Sequence, residues 1–377
     1  MFMVAVGLGV LALHLYLWKR LVRDTTTSAR ARRVATIVLA VFAGLAVAAL
    51  VLPRFVGVEI AKWFAWPGYL WLALFFYLLL VLAALELPRL ALRRWTRPAE
   101  SGEVDESRRL FLSRAAGVVA VATAGSVVGA GAVSALGPPT VKRVSVPIGR
   151  LAPGLRGMRI AVVSDIHLGP LLGRSHTEQI VRMLNETRPD LVAMVGDLAD
   201  GTVAELGHAA APLGDLVAPT YFVTGNHEYY SGYQPWVTEL ERLGLHYLHN
   251  ENTKIVHGLD RLTLAGVTDV TGKNFDDGPD MERALTGRVG TTVLLAHQPV
   301  QAEKAATLGV DLQLSGHTHG GQLWPFHYVV RAAQPAVSGL SKVDKTWLYV
   351  TNGVGTWGPP VRVGAAPDIS VIELAAD

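Results

Sequence analysis

The chain has 377 residues, no cysteine, a formal net charge of +3, and half its residues hydrophobic against 17% charged. That length admits two domains, and the lack of thiols excludes a disulfide framework and thiolate metal sites, so any metal must be held by His, Asp, Glu or Asn. The charge is mild and most N-terminal arginines stand beside apolar runs, which argues for membrane topology signals and against a nucleic-acid partner.

Four apolar runs, 1–18, 34–52, 68–85 and 115–136, fill residues 1–136. Each approaches the ~20 residues that cross a bilayer as a helix. Any one alone could be a buried core helix; four in series between arginine-rich loops read as a membrane region. The loop "KRLVRDTTTSARARR" (19–33) and the segment from Arg89 to Arg114 are strongly basic, whereas the stretch around "RFVGVEIAKWFAWPG" carries only Arg54 and Lys62. The positive-inside rule then puts both basic loops in the cytoplasm, and the N-terminus and everything after the fourth run outside. Trp63, Trp66 and Tyr69 suit the aromatic belt of the outer surface. His14 lies inside the first run near a helix end, where it can snorkel, and is assigned no role. "SRRLFLSR" (107–114) resembles a twin-arginine export signal, with Arg108 and Arg109 as the pair and Phe111-Leu112 following, which makes the twin-arginine translocase an expected partner. The plainer alternative is that these arginines anchor a helix. "AVSALGPP" (132–139) offers, around Ala135, a small-residue site of the kind signal peptidases cut.

From about Val141 to the end at 377, short β-rich runs alternate with amphipathic stretches. "MRIAVVSD" (158–165) predicts a strand, "HTEQIVRMLNETRPD" a helix, "LVAMVGD" (191–197) a strand, "HAAAPLGDL" a short helix, "TYFVTGNHE" (220–228) a strand and "WVTELERLG" a helix. "RLTLAGVTD", "TTVLLAHQP", "DLQLSGHTH", "WLYVTNG" and "DISVIEL" predict further strands. This order implies an α/β domain over 141–377 built as two packed sheets with helices outside. Polar residues recur just past the carboxyl ends of the apolar strands: Asp165 and His167, Asp197 and Asp200, Asn226 and His227, His297, then His317 and His319. In open α/β sheets that edge binds ligands.

In extended chain, residues i and i+2 point the same way, so Asp165 and His167 can face one site, as can His317 and His319. A lone D-x-H or H-x-H is a weak sign of metal. The set is stronger: the Asp197 carboxylate can bridge two cations, Asn226 offers an amide oxygen, and His227 and His297 add imidazoles. Mixed N/O ligands suit Mn, Fe or Zn, and two such divalent ions clamp an in-line displacement. Glycines 316, 320 and 321 look like the backbone freedom that close approach requires.

The ordered series "DIH … GDLAD … GNHE … AHQP … GHTHGG" resembles the calcineurin-like metallophosphoesterase superfamily over about residues 158–322. The "GHTHGGQ" variant and the tail "GTWGPPVRVGAAPDISVIEL" look most like its bacterial, membrane-associated phosphodiesterase branch linked to twin-arginine export. The resemblance implies a four-layered αββα sandwich, here preceded by a bundle of four transmembrane helices. It implies that Asp165, His167 and His319 hold one divalent metal, that Asn226, His297 and His317 hold the other, and that Asp197 bridges them. It further implies that His227 faces substrate and assists the leaving group, with Asp200 orienting it. The expected activity is hydrolysis of a phosphoester, diester ahead of monoester, by a metal-bridging hydroxide outside the cytoplasmic membrane. Lipid-linked or cell-wall phosphoesters are reasonable substrates there.

Gly201 and Glu228 stand where protein Ser/Thr phosphatases carry Arg and Asp, which disfavours a phosphoprotein substrate. Tyr229, Tyr230 and Tyr233 either line the substrate groove or pack in the loop. His176, His208, His246, His249, His257 and His327 match no motif and read as surface residues. The rival function is a non-catalytic membrane scaffold that uses the same fold for docking; it is disfavoured because every ligand position is filled.

Overall fold

The computed structural model describes residues 2–91, 106–149 and 151–377; only the backbone is described for 2–7, 54 and 106, and the 92–105 part of the expected basic segment lies outside the described residues. The chain divides into two compact units, Met1–Ala132 and Val133–Asp377.

The first unit is helical: α1 (Phe2–Leu17), α2 (Ala29–Val51), α3 (Pro53–Val56), α4 (Val58–Ala91) and most of α5 (Glu106–Leu136), with a π-helical turn, Trp18–Arg23, after α1. Among the described residues three helices are long and apolar enough to cross a membrane, α2, α4 and α5. The expected fourth span, at 1–18, is corrected: α1 has 16 residues, about 24 Å at 1.5 Å per residue, short of a ~30 Å hydrocarbon core. Its continuation carries Lys19, Arg20 and Arg23. Arg20 bonds Asp24 at 3.1 Å and Glu86 at 2.7 Å, neutralising charge at the end of the apolar runs. Gly68 of α4 lets α2 approach so closely that a Cβ there would strike the Leu45 carbonyl and Ala49, the small-residue packing that helices use where no hydrophobic force drives them together.

The second unit holds two six-stranded sheets. The first has the order β1 (Thr140–Ile148), β12 (Asp368–Ala376), β2 (Arg159–Val163), β3 (Leu191–Val195), β4 (Thr220–Val223), β5 (His246–Tyr247). The second runs β10 (Gly339–Val343), β11 (Thr346–Val350), β9 (Leu312–Ser315), β8 (Thr292–Leu295), β7 (Asp260–Gly266), β6 (Glu251–His257). Strands β2 to β5 are parallel, as are β7, β8, β9 and β11. The expectation of two packed sheets holds, because Ile160, Val162 and Ala193 of one share a buried cluster with Leu264, Val293 and Leu312 of the other.

Helices close the outer faces. In α6 (Arg174–Thr187), Thr177, Ile180, Val181, Leu184 and Thr187 are buried, a stripe at helical spacing. A capping box between Thr202 and Glu205 starts α7 (Val203–Ala210). Beyond α8 (Asn226–Ser231), α9 (Tyr233–Arg242) inserts Trp236, whose indole N–H donates to the Gly201 carbonyl at 2.9 Å. On the other sheet, α10 (Met281–Ala284) packs on Ala265 and Leu294, and α11 (Ala302–Thr307) on β11. The strand expected over 220–228 ends at Val223, since Gly225 opens α8 at "NHE".

His176 is not a plain surface residue: its Nε2 is buried without a hydrogen-bond partner, and burial lowers the ring to about 4. The unfolded chain therefore takes up more protons between pH 6.5 and 4, so this group subtracts stability as pH falls through that window. His176→Gln is expected to lose less stability than wild type between pH 6.5 and 4 in urea unfolding of the detergent-solubilised protein; parallel loss in both would show that the group has no such effect.

Candidate metal centre

Four parallel strands each end two residues short of a polar side chain: β2 before Asp165, β3 before Asp197, β8 before His297 and β9 before His317. Asn226 opens α8 just after β4. At Asp165, His167, Asp197, His317 and His319 the backbone is left-handed, with φ of 54°, 49°, 57°, 70° and 51°. Such a conformation costs an L-residue about 1–2 kcal/mol, and Asp and His tolerate it better than bulky or β-branched types. The expectation that alternation along an extended chain brings Asp165 to His167 and His317 to His319 is therefore corrected. None of the four is extended, and left-handed turns aim the side chains. Backbone bonds hold these turns: the Asp165 N–H donates to Gly196 at 3.0 Å, His167 to Asp197 at 3.2 Å and Gly316 to His297 at 3.0 Å.

Two glycines matter for space rather than for φ. A Cβ on Gly225 would collide with Asp197 Oδ1, and one on Gly316 with Ser164 Oγ and Asp165 Oδ2. Gly320 and Gly321, by contrast, do have positive φ, 61° and 82°.

The site side chains converge. Ligand-type atoms of Asp165, His167 and His319 lie within 4.8 Å of one another; so do those of Asp197, His297 and His317, and of His167, Asp197 and His227. His319 Nε2 is 3.3 Å from Asp165 Oδ1 and 3.1 Å from His167 Nε2. Asp197 Oδ2 lies 3.2 Å from His297 Nε2 and 3.8 Å from His167 Nε2, between the groups. Asn226 Oδ1 is 3.0 Å from His317 Nδ1.

The chemistry of these atoms fits divalent cations. His297 Nδ1 donates to the Val195 carbonyl at 2.7 Å, so its buried Nε2, which has no hydrogen-bond partner, presents a lone pair toward a carboxylate oxygen. Two lone pairs facing each other in a dry site require a positive charge. The titration of the pair states the same demand: burial opposes charge on both, yet the Asp197 and Asp165 carboxylates raise His297 well above its usual value, and His297 holds Asp197 well below. His317 is lowered to about 3 by burial and by His297, and His319 is lowered by burial and by Arg362. Both rings thus stay neutral, as metal ligands must be.

Asp200 was expected to orient His227, and it lies 2.5 Å from that ring's Nδ1; its Oδ1 is also 3.0 Å from His167 Nδ1. One carboxylate oxygen thereby fixes two imidazoles, turning both Nε2 atoms away from it. Burial alone would lower His227, but the Asp200 hydrogen bond and the Asp197 and Asp200 charges raise it to about 9. Tyr229 is a packed residue, donating to Asp277 Oδ2 at 2.6 Å, and the Tyr233 ring lies tilted against it at 4.7 Å. Tyr230 is exposed and lies 5.6 Å from the His227 ring. His327 lies tilted against Tyr328, outside these clusters.

Two residues have roles that the motif reading did not assign. Glu228 is buried and accepts three backbone N–H groups, from Asp197 (2.9 Å), Leu198 (2.6 Å) and Gly225 (2.6 Å), clamping the turn after β3 to the start of α8. Arg362 is buried with its guanidinium spent on the carbonyls of Gly355, His319, Asn352, Ala365 and Gly353, and Nη2 lies 3.2 Å from His319 Nδ1. A lone arginine amid the apolar tail "PPVRVG" was the available signal.

A two-sheet α/β sandwich whose strand ends gather acidic, amide and imidazole groups of this kind defines a metallohydrolase-type centre. Residues 158–321 match the family model for calcineurin-like phosphoesterases. A "Transmembrane protein with metallophosphoesterase domain" of Bos taurus is 41% identical over 299 residues, covering 75% of this chain and 67% of the relative. Its counterpart in Danio rerio is 40% identical, covering 65% and 59%. A metallophosphoesterase of Aquifex aeolicus is 33% identical, covering 58% of this chain and 85% of its own. The chain belongs to the calcineurin-like metallophosphoesterase superfamily, and it spans about two thirds or less of the length of its animal relatives.

Arg362→Met would strip the donors from a set of buried carbonyls, and an unsatisfied buried polar group costs about 1–3 kcal/mol. The expected loss is about 3 kcal/mol or more in urea unfolding of the detergent-solubilised protein, partly restored in Arg362→Lys. Unchanged stability in Arg362→Met would contradict the bracing role.

Proposed function

We propose that the protein is a membrane-anchored, metal-dependent phosphoesterase, acting on diesters ahead of monoesters, with its catalytic unit on the outer face of the cytoplasmic membrane. The observation that carries this reading is the Asp197 carboxylate, shared between the cluster around His167 and the cluster around His297. Asp165, His167 and His319 would hold one cation, Asn226, His297 and His317 the other, and Asp197 both. Two divalent ions of the Mn, Fe or Zn kind would neutralise charge on the phosphoryl oxygens and supply an acidified water.

The chain's own residues do the rest. Asp200 holds His227 by Nδ1, which leaves Nε2 to protonate the departing ester oxygen. The same carboxylate stabilises the imidazolium before transfer. The Asp197 Oδ1 atom accepts the His227 backbone N–H at 2.9 Å, so the acid is anchored to the shared ligand and keeps its distance from it. Trp357 and Tyr230 stand edge to face with the His227 ring at 6.2 and 5.6 Å.

The orientation follows from the loops and does not depend on α1. Residues 19–33 lead into and open α2, and the basic segment from Arg89 to Arg114 runs from the end of α4 into the start of α5, so both lie on one side of a pair of crossings, and α5 leads to the other. Arg108 and Arg109 near the start of α5 would serve export by the twin-arginine route; replacing both with Lys should then block appearance of the second unit outside.

Purified full-length protein loaded with Mn is expected to hydrolyse a chromogenic phosphodiester faster than a monoester and to lose activity to a chelator. Asp197→Ala should lower the rate by about 10³ or more, and His227→Ala by about 10²–10⁴. Full activity in Asp197→Ala would end the dinuclear reading. Reporter fusions after residue 140 should read out on the outer face; a cytoplasmic signal would overturn the orientation.

A further inference from the structure

The site lies at the end of the sandwich where β1 begins. Strand β12 is antiparallel to β2, so its first residue, Asp368, stands at the carboxyl edge of the parallel strands; β1 is parallel to β12, and Thr140 pairs with Asp368 there. Asp368 Oδ2 accepts the Asn352 N–H at 3.2 Å, and the Asp368 N–H donates to Gly353, which packs on Asp165. The apolar run of α5 ends at Leu136, four residues before Thr140. Four residues span at most about 14 Å, which bounds the chain between the apolar run of α5 and the first residue of β1.

The rim of the same edge is aromatic. Trp324, Phe326, Tyr328 and Val329 are 54, 47, 62 and 59% exposed, on the segment that follows His319 and continues into α12 (His327–Ala333). Trp357, 59% exposed, is tied to it: Gln322 Nε2 donates to the Trp357 carbonyl at 3.0 Å, and the Trp324 N–H to Val363 at 3.0 Å. A cavity of about 440 Å³ beside Gly320 is lined by Trp324, His327, Arg331 and Ser338, placing a cation among the rings. Large apolar side chains exposed together mark an interaction surface, and Trp and Tyr with a basic residue fit the headgroup level of a bilayer.

We propose that the segment 324–329 docks on the bilayer surface, so that the phosphoesterase takes a substrate whose phosphorus sits at the headgroup level and whose tail stays in the membrane. This rests on the phosphoesterase reading for the reaction, and on the tether and the exposed rings for the docking. The far end of the domain supplies a control: Leu259, fully exposed, lies in the β6–β7 turn before the amino end of parallel β7.

The chain has no cysteine, so single labels can be placed cleanly. Full-length Tyr328→Cys and Leu259→Cys, each carrying a polarity-sensitive fluorophore, are reconstituted in nanodiscs of phosphatidylcholine and phosphatidylglycerol with or without doxyl-labelled lipid. A blue-shifted label at 328, quenched by doxyl lipid, is expected, with a water-like, unquenched label at 259. A water-like label at 328 overturns the docking, and so does a blue shift without lipid quenching, which would point to a protein neighbour instead. The double variant Trp324→Ser, Tyr328→Ser should slow hydrolysis of a fluorescent phospholipid in the nanodisc by about tenfold, the factor that each 1.4 kcal/mol of lost binding produces, and leave a soluble chromogenic diester unchanged. Equal loss on both esters overturns the substrate inference. Lipid quenching without hydrolysis of any ester would remove the phosphoesterase reading and leave the docking standing.

Discussion

The backbone past the parallel strands turns left-handed at residues that carry side chains, and the rest of the second unit is arranged to keep it so. Five such turns, at Asp165, His167, Asp197, His317 and His319, place carboxylates and imidazoles on one another at the sheet edge. Each costs about 1–2 kcal/mol, and each is over-determined by its surroundings. Gly225 and Gly316 make room, Glu228 accepts the amides of the Asp197 turn, and Arg362 braces the loops behind His319. Strain stored in this way is characteristic of a site whose geometry is worth more to the protein than its relaxation.

The same crowding carries the electrostatics. A buried carboxylate against a lone pair is unfavourable unless a cation or proton lies between them. Asp197 and His297 state that demand most sharply, and Asp165 with His319 repeats it at 3.3 Å. Asp200 works from outside, holding His167 and His227 by the nitrogens that face away from the cluster and so linking a proposed ligand to the proposed acid.

Much of this was legible in the sequence. The strand ends and their polar residues were, because apolar runs that stop at Asp, Asn or His show where a sheet edge lies, and seven of those nine residues meet in the clusters with Asn226 and Asp200 beside them. The reason they meet was not: alternation along a strand gave the right neighbours for Asp165 and His167 by the wrong geometry, since φ at single residues leaves no periodic trace. The roles of Glu228 and Arg362 were missed because their partners are backbone atoms, which no pattern of side chains records. In the first unit hydropathy found the apolar runs, but α1 has 16 residues before its π-helical continuation through Lys19 and Arg20, and three helices among the described residues are long and apolar enough to span.

Strand β1, which follows α5 in the chain, begins at the sheet edge where these carboxylates and imidazoles gather. The central claim is that this edge holds two metal ions sharing Asp197. Anomalous scattering from crystals of the Mn-loaded protein tests it most directly. Two peaks about 3.5–4 Å apart, one beside Asp165, His167 and His319, the other beside Asn226, His297 and His317, are the predicted result. A single peak, or peaks away from Asp197, would contradict it.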